Sequence, residues 1–244
     1  MNRLIIDGTK GISGNSLLGA ALSLGLPWTL LMESCERLLG PDRVQLLVKE
    51  IPLEERKIIY FNTESLKDGE KMDTILGMEA LDLLSASSLE PGLKRKTRKI
   101  LAALFESKAR AHGVPLGEVG FRYEGMVDTL VDALGAALTL TYFGVEEIQV
   151  LGPVETGQGT VLLPHKELTI PVPMVRILLE GFPWVSGSYR GEKVTPTGAA
   201  ILKAFGKVTR QRENPFVKFG YSFPVLPYEE KDCFCLGVEE RSRI

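Results

Sequence analysis

Asp128 and Asp132 stand four residues apart in one of the most apolar stretches of the sequence, MVDTLVDALGAALTL at 126–140. On a helix that spacing lines both carboxylates along one face, with Gly135 and Thr139 continuing the stripe. Such a pair can hold a hard cation or meet two basic side chains. It can equally be a solvated pair favoured by the positive end of the helix, although Gly135 implies that something packs closely against the stripe. Thr195-Pro196-Thr197-Gly198 is a second feature. Thr195 as N-cap and Pro196 as first helical residue make a strong helix start. The hydroxyls and N–H groups of Thr197 and Gly198 then suit a phosphate or carboxylate, and an ordinary capped helix has the same signature.

GTKGISG at 8–14 contains Gly11, Ser13 and Gly14, between a strand and a helix. That layout can cradle an anion on backbone N–H groups, yet it matches neither the P-loop nor the dinucleotide fingerprint. A tight turn that packs helix on strand is the other reading. LPHKELTIPVPM at 163–174 holds His165, with Pro171 and Pro173 stiffening the segment. A histidine there can be a base, a metal ligand or a surface residue. Cys233 and Cys235 would share a strand face, as a soft-metal grip or as two small hydrophobes. His112 and His165 are the only histidines, so counting excludes a histidine-rich metal centre.

These residues need scaffolding. Strands are expected at Arg3–Ile6, Val44–Ile51, Lys57–Thr63, Ile148–Leu151, Thr160–Leu163, Val208–Arg210, Val217–Tyr221 and Cys233–Val238. Helices are expected at Asn15–Leu24, Pro27–Leu39, Met72–Leu84, Leu93–His112, from Met126, Met174–Glu180 and Thr195–Phe205. The order implies a mixed α/β or α+β domain over 1–244: a mixed sheet packed with helices, a central helical segment near 70–113 and a strand-rich C-terminal part. LGAALSL (18–24) and LGAALTL (134–140) are near copies, from duplication or from coincidence of two alanine-rich helices. The basic run 94–99, without interleaved aromatics, reads as a solvated face.

With 44% hydrophobic and 25% charged residues, a sizeable core is affordable. A net charge of −2 supplies no field to gather nucleic acid or an anionic membrane. No apolar run reaches the roughly 20 residues that span a bilayer. A cytoplasmic protein without nucleic-acid or membrane partners is therefore expected, its assembly of copies left open.

Taken in order, GISGNSLLGAALSLG, ESKARAHG, MVDTLVDALGAALTL, GQGTVLLPHKELTIPVP and VTPTGAA resemble the nickel-insertion proteins, or cyclometallases. The resemblance covers nearly the whole chain and is strongest over 119–206. It implies a lyase-type, chelatase-like reaction that completes the nickel–pincer nucleotide cofactor. Nickel enters a pyridinium bisthiocarboxylate mononucleotide, driven by CTP with a divalent cation. It implies Asp128, Asp132 and His165 as catalytic groups and Asp7, His112 and His165 as metal ligands. It further implies nucleotide contacts at Gly11, Ser13, Gly14, Thr195, Thr197 and Gly198, whereas Arg122 and Lys166 put cations where the family has imidazoles, which favours a bound phosphate or carboxylate.

The departures from the family pattern are specific. The family opens on Asp-Cys-Phe-Ser-Gly-Ile-Ser-Gly-Asp; here Gly8, Thr9 and Lys10 differ and Asn15 replaces the second aspartate. The family's histidine-rich stretch has no counterpart around Ser65 to Met72, and its His-Phe-His-Glu reads Gly120-Phe121-Arg122-Tyr123. Its later His-Gly reads His165-Lys166, and its C-terminal CTP-binding domain is expected to be missing. Nickel prefers nitrogen and sulfur donors, so these exchanges should impair metal handling more than anion binding. One expectation is a nickel-insertion protein working with a separate CTP-binding subunit. The other is a non-catalytic nucleotide- or cofactor-binding module. Either way, the carboxylate stripe is expected to meet a Mg²⁺-like ion or the protein's own Arg122 or Lys166.

Overall fold

The computed structural model describes residues 2–53, 56–65, 74–163, 166–209, 217–223 and 233–239. Strand β1 (Arg3–Asp7) turns its alternate residues Leu4 and Ile6 into the core. A short 3-10 turn and Ser13 lead into α1 (Gly14–Ser23), then α2 (Trp28–Leu39). Strands β2 (Val44–Leu53) and β3 (Arg56–Ser65) pair antiparallel over their whole lengths, from Val44 opposite Ser65 to Leu53 opposite Arg56. They extend beyond the expected bounds because the ladder satisfies the flanking backbone groups as well.

The expected helix at Met72–Leu84 begins later. Its first described residues form β4 (Thr74–Leu76), and α3 runs Gly77–Ala86, with Glu79 reaching back to the Leu76 N–H at 2.7 Å. Helix α4 (Pro91–His112) follows. Strand β5 (Gly120–Arg122) pairs antiparallel with β4 and runs straight into α5 (Tyr123–Tyr142). Every residue from Thr129 to Leu140 in α5 is buried, which explains why its sequence is apolar almost all round.

Beyond α5 come β6 (Ile148–Leu151), β7 (Val154–Glu155), β8 (Thr160–Leu163), β9 (Lys166–Thr169), α6 (Pro173–Leu178) and β10 (Trp184–Val185). Pro173 does not extend the strand-like segment; it starts α6, where its missing N–H costs nothing. Helix α7 (Pro196–Phe205) leads into β11 (Gly206–Thr209), with β12 (Val217–Ser222) and β13 (Phe234–Glu239) after it. The main sheet has seven strands in the order β11-β6-β1-β13-β12-β3-β2. Strands β11, β6 and β1 run parallel, β13 is antiparallel to β1 and β12, and β12 is parallel to β3. This is the mixed α/β architecture expected.

Helices α1 and α5 carry the two near-copies, and they pack in parallel, Gly14 against Asp132 and Gly135 against Leu18. Their equivalent glycines serve different partners. A Cβ on Gly135 would lie 2.4 Å from Leu18, whereas one on Gly19 would lie 2.4 Å from the Ile59 carbonyl. Close approach at two separate contacts demands the same small residue in both.

Candidate functional site

Three elements converge on the turn that follows β1. Ser13 caps α1: its hydroxyl accepts from the Ser16 N–H at 3.0 Å, and the Ser16 hydroxyl accepts from the Ser13 N–H at 3.0 Å. Helix α5 brings Asp132 directly onto the first residue of α1, where a Cβ on Gly14 would sit 2.0 Å from the carboxylate. Helix α7 closes the third side. The Ile12 N–H donates to the Lys193 carbonyl at 2.9 Å and the Thr195 N–H donates to the Ile12 carbonyl at 3.1 Å.

That convergence fills the spaces expected to hold an anion. A Cβ on Gly11 would lie 2.2 Å from the Lys193 carbonyl, and one on Gly198 would lie 2.1 Å from the Ile12 carbonyl. Thr195 does cap α7, but its hydroxyl takes the Gly198 N–H at 3.1 Å. Thr197 is buried. The glycines of GTKGISG and of the TPTG corner therefore serve protein-to-protein packing in the first instance. The α1 start faces a carboxylate supplied by the protein itself.

Asp132 is buried, only 4% exposed, and its Oδ1 has no hydrogen-bond partner among the described residues. Burial pushes its carboxyl well above the ordinary carboxylate range, and the charge of Asp128 adds to the rise. Asp128, half-buried one turn earlier, is pushed up to about 6 by burial. Two more orphaned oxygens lie on elements that pack around α1: Asn15 Oδ1 and Thr63 Oγ1. Asn15 is next to Gly14 and donates to Asn62 Oδ1 at 3.2 Å. Buried, unsatisfied oxygens carry a desolvation cost that a ligand can offset. The two carboxylates are oxygen donors and suit a hard divalent cation, whereas nickel prefers nitrogen and sulfur.

No ion pair joins Arg122 to either aspartate among the described residues. Arg122 is exposed on β5, opposite Thr74. Asp7 Oδ1 accepts from the Thr9 N–H at 3.0 Å and from the Thr9 hydroxyl at 2.7 Å, so it caps the 3-10 turn. His112 is exposed at the C-terminal end of α4, a favourable place for a positive charge. His165 lies outside the described residues; Lys166 opens β9, opposite Leu163. No group of three or more His, Cys, Asp or Glu side chains among the described residues could hold a metal.

The positions matching His-Phe-His lie on β5, which pairs with β4, and the 66–73 stretch lies outside the described residues. Here that corner is packed. Lys108 donates to the Gly120 carbonyl at 2.6 Å with its ammonium 3.6 Å from the centre of the Phe121 ring, and Phe105 lies against Phe121. Thr63 and the Lys108–Phe121 contact escaped the sequence reading, because neither has a local signal: each depends on elements distant in the chain.

Comparison with known proteins bears on what this geometry serves. The family described as "Nickel insertion protein" matches residues 4–224. A protein named "Putative nickel insertion protein" from Pelobacter propionicus is 37% identical over 208 residues, covering 84% of this chain and 52% of that protein. A protein of the same name from Thermomicrobium roseum is 33% identical over 231 residues, covering 91% of this chain and 55% of its own. The one from Geotalea daltonii is 32% identical over 206 residues, covering 84% and 52%. The chain thus spans about half the length of the curated relatives it matches. No solved structure matches it. The chain belongs to the nickel insertion protein family.

Proposed function

We propose that this nickel insertion family member supplies the half of the insertion machinery that holds the acceptor mononucleotide and an accompanying divalent cation. Nickel is the substrate, the acceptor is a pyridinium bisthiocarboxylate mononucleotide, and a CTP-binding subunit works with the chain. The buried Asp132 carboxylate carries this reading, because its Oδ1 is unpartnered among the described residues and Asp128 stands one turn away. A protein gains nothing in stability from two coupled carboxylates raised by burial. A hard cation would reverse that cost, with Asp128 and Asp132 as its charged ligands. Bound there, such a cation would supply positive charge beside an anionic nucleotide.

The chain's own residues then have separate tasks. Ser13, Gly14 and Gly198 fix the distance between α1, α5 and α7, so that the carboxylates are held before any ligand arrives. Purified chain, a CTP-binding partner subunit, nickel, CTP and the acceptor mononucleotide form the decisive mixture. Metallated nucleotide that fails to form when Asp132→Asn replaces the wild type supports the reading. Absence of product from the wild type at saturating nickel and CTP sinks it.

The packed β4–β5 corner favours a second reading, a non-catalytic module that binds nucleotide or finished cofactor. Under it, the chain binds the mononucleotide without any metal and yields no product with any partner.

A further inference from the structure

An open pocket of about 510 Å³ lies away from the carboxylates, between the 157–160 turn and the segment at 190–191. Gln158, Gly159, Thr160, Arg190 and Gly191 line it. Its walls are held together by backbone. The Gln158 N–H donates to the Tyr189 carbonyl and the Gly191 N–H to the Gln158 carbonyl, both at 2.9 Å. Gly157 locks the corner, for a Cβ there would lie 1.9 Å from the Gly191 carbonyl. Gly159 has φ of 106° and nothing within 4 Å of where a Cβ would stand, so bare backbone faces the opening.

Arg190 is the only charged residue among the described residues that line the pocket. Its guanidinium makes no hydrogen bond or ion pair with the described residues. The neighbouring cation behaves differently: Lys193 donates to Glu155 at 2.8 Å and to the Thr9 carbonyl at 3.1 Å. One cation of this segment is spent on structure and the other is left at a pocket without a carboxylate. Arginine's planar fork suits the oxygens of a phosphate. The same segment runs on through Lys193 to the Ile12 contact and Thr195, so the pocket is rigidly tied to the turn beside Asp132.

We infer that this pocket is an anion subsite in which Arg190 binds the phosphate monoester of the mononucleotide. The inference rests on the proposed acceptor being a nucleotide. A phosphate on a small molecule and free inorganic phosphate share the chemistry, and the test separates them.

The test is calorimetric titration of the whole chain, with chelator and without CTP. The probes are a pyridinium mononucleotide, its nucleoside lacking the phosphate, and inorganic phosphate. Wild type should bind the mononucleotide at least about tenfold more tightly than the nucleoside, the discrimination expected of one charge-assisted contact. Arg190→Ala should abolish that preference, Arg190→Lys should retain part of it, and both should melt as the wild type does, since Arg190 is exposed. Equal affinity of wild type and Arg190→Ala overturns the inference, as does a wild type that binds none of the probes. Arg190-dependent binding of inorganic phosphate that the mononucleotide does not improve overturns the nucleotide class. Because no nickel is present, a chain that binds in this way but never yields metallated product refutes the proposed function alone.

Discussion

The corner where α1, α5 and α7 meet and the corner where β4 pairs with β5 are held by the same helix, yet they are built on opposite principles. At the first, small residues bring three elements into contact around two carboxylates whose buried charge the fold itself does not offset. At the second, a lysine, two phenylalanines and a strand pair satisfy one another. The first leaves the buried Asp132 Oδ1 unpartnered among the described residues, and the second is complete in itself. At the first corner Asp128, Asp132 and Gly135 keep the resemblance to the family while Asn15 departs from it; at the second, Gly120 and Arg122 both depart from it. That contrast favours a ligand at Asp132 over one at Arg122.

Substitution should separate the corners most sharply through their glycines. Gly198→Ala puts a methyl 2.1 Å from the Ile12 backbone carbonyl, and denaturant unfolding should show a loss of about 3 kcal/mol. Gly120→Ala meets only the Thr74 methyl and should cost less than about 1 kcal/mol. Comparable losses at the two sites would break the comparison.

The next effect is electrostatic. Asp128 is raised from its ordinary 3.8 to about 6 by burial, and burial together with the Asp128 charge raises Asp132 well above the ordinary range. The native protein therefore holds more protons than the unfolded chain across that interval. Stability is full below about pH 4 and falls as pH rises through the folded-state values. Asp128→Asn should raise stability at pH 7 by on the order of 2 kcal/mol and flatten the profile between pH 4 and 7, in thermal melts with chelator present. A rising profile over that range would contradict the assignment.

Lys108→Met tests the finished corner. Loss of its hydrogen bond and ring contact should cost about 1 kcal/mol, visible in the same melts, without altering any cation response of the protein. The smallest effect concerns Gly125, which lies in α5 with open space where a Cβ would stand. Gly125→Ala should stabilise by about 0.5–1 kcal/mol, by restricting the unfolded chain and favouring the helix. A destabilisation there would contradict the open, helical placement of Gly125.

Much of the frame was legible in the sequence because it is encoded locally. A short buried-strand pattern marked β1, alternation marked β2 and β3, Thr195-Pro196 marked the start of α7, and the position of Gly135 announced a close contact. What the glycines contact was not legible. Gly14 meets Asp132 across more than a hundred residues, and a glycine-rich turn looks alike whether it cradles a phosphate or a helix. The strand Thr74–Leu76 was hidden for a similar reason: three residues carry no period of their own and become a strand only opposite β5. Arg190 gave no motif signal, since its pocket is assembled by a bridge between separate segments.

The central claim is that Asp132 and Asp128 form a hard-cation site preorganised by the α1 start. Titration of Mn²⁺ into the metal-free chain at pH 7.5, followed by calorimetry, tests it most directly. The account predicts one site per chain, abolished in Asp132→Asn and unchanged in His112→Ala. Mn²⁺ that does not bind, or that binds equally to wild type and Asp132→Asn, would contradict it.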